Sequence, residues 1–126
     1  LYLDYLVGGK VTTGMTPTDA KSIRVYAYGS IDDTPTYPDV FDGTNSAETV
    51  TSTDILNTCL ALLNETSTNT TSDRTYWFRA VGLAAAFGGL LPKNFGLFVA
   101  HDTGVVLNAT AGNHALSHTG VYATAV

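Results

Sequence analysis

Apolar and polar positions alternate along most of this chain, and a period of two predicts strands. In residues 1–9, "LYLDYLVGG", Leu1, Leu3, Tyr5 and Val7 oppose Tyr2, Asp4 and Leu6. A strand is expected there, ended by Gly8-Gly9, with 10–13 as its continuation or a second short strand. Residues 22–31 read as the clearest strand: Ile23, Val25 and Ala27 share one face, Arg24, Tyr26 and Tyr28 the other. Residues 32–48 form a long loop with Pro35, Pro38, Gly43 and five acidic residues. Loops of that length in compact domains are usually functional or ordered by a partner.

The second half continues the pattern. Residues 49–54 suit a short edge strand. Residues 55–64 fit either a helical face or a buried strand, and the β-rich surroundings favour the strand. Residues 65–73 read as a polar hairpin loop. Residues 74–83 read as a strand with Tyr76 and Phe78 opposite Trp77 and Arg79. Residues 84–89 suit one helical turn or a tight corner, broken by Gly88-Gly89. Residues 95–101 suit a strand buried on both faces, and 105–110 and 114–126 two more strands, separated by turns at "DTG" and "AGN". About eight short strands at this spacing predict an all-β, antiparallel two-sheet sandwich of jelly-roll-like type. The 126 residues fit a single domain, 1–126. No repeat at solenoid period is present.

Composition narrows the function classes. Only 13% of residues are charged, and the net charge is −5. Lys10, Lys21, Arg24, Arg74, Arg79 and Lys93 are scattered, so neither nucleic acid nor an anionic membrane is an expected partner. No apolar run approaches the roughly 20 residues of a membrane-spanning helix. The chain opens directly on a strand-like stretch, and an N-terminal arm ahead of it is expected. Cys59, the single cysteine, has no internal disulfide partner and is expected to be a small buried hydrophobe.

The candidate chemistry centres on "FVAHDTGVV", residues 98–106. Asp-Thr-Gly after an apolar strand is similar to the aspartic-protease turn. Too little chain follows Asp102 for the flap that mechanism needs, and His101 stands where an apolar residue is usual. Asp-Thr-Gly is also good turn chemistry, and a strand corner is the preferred reading. His101, Asp102, His114 and His118 are the available metal ligands or hydrolase residues. On an extended strand His114 and His118 lie roughly 13 Å apart, too far for one ion. Ser117 and His118 are neighbours and face opposite ways. No Gly-x-Ser-x-Gly elbow or phosphate-binding glycine loop exists. Asp32, Asp33, Asp39 and Asp42 lack a calcium-loop pattern. No catalytic residue, metal or cofactor is therefore expected. Tyr26, Tyr28, Tyr37, Trp77 and Tyr122 suit either a sugar-stacking surface or a core and subunit interface. Asn64, Asn69 and Asn108 begin Asn-x-Thr triplets, relevant only in a eukaryotic secretory setting.

Three stretches, "YLDYLVGGKVTTG", "IRVYAYGSIDDTPTYPD" and "FGGLLPKNFGLFVAHDTGVVLNATAGNHALSHTGVYAT", resemble a group of small tailed-phage virion proteins. The resemblance spans most of the chain and has no catalytic motif to anchor it. It implies a structural protein of the virion without enzymatic activity and does not fix capsid, tail or fibre; low charge, no convergent polar site and a compact β-sandwich point to a capsid decoration (cement) role. Such a protein bridges the major capsid protein or other virion proteins, commonly as a homo-oligomer, with a trimer favoured. Relatives start earlier, with a polar N-terminal segment. On this reading the loops at 31–48 and 88–94 are contact regions, and Tyr37, Phe41, Trp77 and Phe95 are the anchors. The alternative is a tail- or head-associated module that binds host-surface glycan.

Overall fold

A computed structural model describes residues 2–122, with the side chains of Arg79 and Ala80 left aside. Leu1 and the end of the last expected strand, 123–126, lie outside the described residues. Six strands are present: β1 (Asp4–Thr12), β2 (Lys21–Ser30), β3 (Ala61–Thr68), β4 (Thr75–Gly82), β5 (Asn94–His101) and β6 (Ala115–Val121). Two single-turn helices, α1 (Ile55–Thr58) and α2 (Leu83–Ala86), join them. The strands form two antiparallel three-stranded sheets, ordered β4-β1-β6 and β3-β2-β5. The all-β, two-sheet sandwich is thus present, built from six strands where about eight were expected.

β1 and β2 sit at the sheet centres because they carry the most continuous apolar faces. Val7, Val11, Ile23, Val25, Ala27, Phe78 and Leu83 are all buried. α2 follows β4 directly, and the Asp4 carboxylate accepts the Ala84 N–H at 2.8 Å, holding Leu83 in the core. β2 is buried on its other face as well. Tyr26 and Tyr28 pack with Phe41 and Leu60, flanked by Tyr37, Val50, Ile55 and Leu56. The segment between β2 and β3 therefore forms a third layer over the second sheet.

Five local expectations change. The pair Gly8-Gly9 does not end β1; the strand runs through it. A Cβ on Gly9 would collide with the Ala115 carbonyl, so this glycine permits β6 to approach closely mid-strand. Residues 49–54 form no strand, and 55–64 divide into α1 and the start of β3. The polar stretch 65–73 is strand as far as Thr68, and it is not a hairpin, because β3 and β4 belong to different sheets. Residues 105–110 form only an isolated bridge, Thr13 with Leu107.

Candidate functional site

The His-Asp-Thr-Gly stretch is a corner built from its own hydrogen bonds. β5 pairs with β2 as far as His101 opposite Ile23. One residue on, the Asp102 N–H donates to the Ser22 carbonyl at 3.3 Å, and the Ser22 N–H donates to Asp102 Oδ1 at 2.8 Å. The carboxylate stands in for the backbone carbonyl that the turning strand no longer presents. The Ser22 N–H, with the Lys21 and Arg24 charges behind it, holds Asp102 below the usual carboxylate range. Thr103 is fully buried; its hydroxyl donates to the Val105 carbonyl at 3.1 Å. That leaves its oxygen to accept from His101 Nδ1 at 2.9 Å, so His101 carries its proton on Nδ1. Burial lowers the His101 pKa, and the nearby Asp102 charge opposes this weakly. Gly104 completes the turn at φ 78°.

The other histidines are elsewhere. His114 Nδ1 accepts the Thr12 N–H at 3.3 Å, and its Nε2 donates to the Asn108 carbonyl at 2.8 Å. It fills the place beside β1 that β6 has not yet reached. His118 lies between Tyr5 and Phe95, with ring centroids 5.5 and 6.1 Å away. Phe95 and His101 are at opposite ends of β5, roughly 20 Å apart for a strand of that length. His101, Asp102 and His118 are therefore not brought together. Among the described residues, no group of three or more His, Cys, Asp or Glu is placed to hold a metal ion.

The acidic loop is tied to itself. Asp39, at φ 54°, accepts the Thr51 hydroxyl and N–H at 2.7 and 3.0 Å. Asp42 accepts both from Thr44, at 2.6 and 2.9 Å. These bonds lower the pKa of both carboxyls. Cys59 was expected inside and is exposed, because Leu60 supplies the burial at that turn.

The four expected anchors separate. Phe41 is only 7% exposed. It stacks on Tyr28 with centroids 4.5 Å apart and meets Phe98 edge-on, so it fastens the loop to the sheet and has no face for a partner. Tyr37 is half-buried, edge-on to Tyr28. Phe95 is half-buried against Tyr5. Trp77 alone of the four is open, 69% exposed on the outer face of β4-β1-β6, with the Lys10 ammonium 5.3 Å from its ring centre.

One feature that strand patterns did not reveal is an open side of the sandwich. Between β5 and β6 lie a cavity of about 440 Å³, bordered by Phe95, Leu97, Leu116 and His118, and another of about 560 Å³ beside Val11 and Val99. Leu116 shares the face of His118, which pairs with buried Val7, yet it is 44% exposed. Only the β-sheet pairing, not the sequence period, reveals that its inward face lacks a cover.

Among the described residues no helix is long and apolar enough to cross a membrane. Compared with known proteins, the chain matches no protein-family model, no curated protein and no solved structure.

Proposed function

We propose that this chain is a structural protein of a tailed-phage virion, a capsid decoration (cement) protein acting through protein–protein contacts and without enzymatic activity. The observation that carries the reading is Trp77, a large aromatic held open on a rigid sheet rather than on a loop. Exposed aromatics on preformed surfaces are the usual anchors of protein contacts, since little entropy is lost when they dock. The sequence resemblance supplies the virion setting, and the major capsid protein is the partner that a decoration role implies. The same reading takes the sandwich as jelly-roll-like.

Cryo-electron microscopy of the intact particle tests the proposal. Regular density on the shell, with Trp77 at the contact, is the expected result. Density only at the tail, or none, overturns the decoration role.

The second reading is a glycan-binding module of the virion, and the same Trp77 favours it. Lys10 covers one face of the indole, which leaves the other free to stack on a sugar ring. Glycan binding lost in Trp77→Ala would favour this reading over the first.

A further inference from the structure

Among the described residues, four strands lie at sheet edges: β4 and β6 in one sheet, β3 and β5 in the other. An edge strand leaves alternate N–H and C=O groups without partners, and proteins protect such edges with charge, proline, bulges or covering segments. β3 carries Glu65, paired with Arg24 at 3.2 Å. The register of β4 with β1 is broken between Val7 and Gly9. β5 is flanked by the 31–48 loop, whose Tyr37 and Asn45 reach the cavities beside it.

Among the described residues, β6 has none of these devices. Its sequence, ALSHTGV, contains no charge and no proline. Its register with β1 runs unbroken from Asp4–Val121 to Lys10–Ala115. All its residues except Gly120 are exposed. The lack of charge extends well beyond the strand: no Asp, Glu, Lys or Arg follows Asp102 in a chain of net charge −5. The like-charge repulsion that opposes self-association elsewhere on this surface is missing here.

We propose that β6 pairs antiparallel with β6 of a second copy of this chain, about a two-fold axis at His118, joining the two β4-β1-β6 sheets into one. Full overlap of residues 115–121 puts the axis at their midpoint. Ser117 then faces Thr119 of the second copy, Leu116 faces Gly120, and Ala115 faces Val121. No like charges meet, and the same patch serves both subunits, as a two-fold contact requires. The open side of the sandwich chooses the occupant. β6 borders the cavities that leave Leu116, Phe95, Leu97 and Val99 incompletely covered. A single foreign strand would satisfy the edge backbone only. A second copy also sets its own open side against this one, so each covers the other's apolar residues. The pairing builds a dimer, not the three-fold cluster that the decoration reading favours. It stands on the β6 edge and is independent of the virion reading.

Sedimentation equilibrium tests it. The chain is expected at twice its 13.3 kDa mass. Ser117→Lys with Thr119→Lys places like charges across the axis and is expected to weaken the dimer at least ten-fold. Ser117→Lys with Thr119→Glu places opposite charges across it and is expected to keep the dimer. A chain that stays at single mass up to millimolar concentration overturns the proposal, as does a trimer or a dimer indifferent to both variants. If the lysine variant fails to fold by circular dichroism, His118→Cys in a Cys59→Ser background decides. Antiparallel partners lie about 4.5–5.5 Å apart at Cα, within disulfide reach. Air oxidation should link two chains, while Thr66→Cys on β3 should not. Failure of His118→Cys to link overturns the proposal.

Discussion

Asp102 extends the pairing of β5 with β2 by one residue, receiving the Ser22 N–H on its carboxylate while its own N–H donates to the Ser22 carbonyl. Asp102→Asn keeps an acceptor oxygen and loses the charge; Asp102→Ala loses both. The alanine variant is therefore expected to have the lower thermal midpoint, with Asp102→Asn between it and the parent. Equal midpoints for the two variants would show that the acceptor is not what matters.

Both titrating groups at this corner make stability fall toward acid. Asp102 has a lowered folded pKa, so its contribution is present above the unfolded carboxylate value and is lost as pH falls through the folded one. His101 is also lowered, so its neutral form is favoured on folding. Its contribution is present above about pH 6.5 and declines as pH falls from there toward its folded pKa. The Nδ1–H bond to Thr103 survives protonation, so the shift comes mainly from burial, with the Asp102 charge opposing it. In an NMR titration His101 should have a midpoint below that of a free histidine. In Asp102→Asn the midpoint should fall further, because the charge that opposed the shift is gone.

His101 and His114 should show opposite neutral tautomers. Thr103 can only accept from His101 Nδ1, and Thr12 can only donate to His114 Nδ1. Ring nitrogen-15 shifts at neutral pH should place the proton on Nδ1 of His101 and on Nε2 of His114. The same tautomer at both positions would contradict these bonds.

Phe41 and Trp77 should respond in opposite ways to truncation. Phe41→Ala empties a site between Tyr28 and Phe98 and should cost about 3–5 kcal/mol in a denaturant melt. Trp77→Ala removes an exposed ring and should change stability by about 0.5 kcal/mol or less. A large loss at Trp77 would mean that its contact with Lys10 holds the sheet.

Gly96 faces Tyr28 across the β2–β5 pairing, and the tyrosine ring lies where a Cβ would project. Gly96→Ala should therefore destabilise by about 1–3 kcal/mol, as other overpacked sites do. In a Tyr28→Ala background the added methyl should cost much less, because the ring that blocks it is gone.

The sequence by itself determined the β class, the strand at residues 22–31 and the corner at Asp-Thr-Gly. Each depends on chemistry within a few residues: a period of two, a side chain that bonds nearby backbone, a glycine that accepts positive φ. The sequence set Trp77 on the face opposite Tyr76 and Phe78, but only the structure shows that this face is the exposed one. Tertiary structure alone decided the rest. Phe41 lies in a polar, proline-bearing stretch, and only the facing Tyr28 makes it core. Gly8-Gly9 reads as a terminator until Ala115 crosses it. The polar residues 65–68 become strand because β2 supplies the hydrogen bonds. The bare edge of β6 was invisible for the same reason: whether a strand lies inside a sheet or at its border depends on distant segments, which a local pattern does not record.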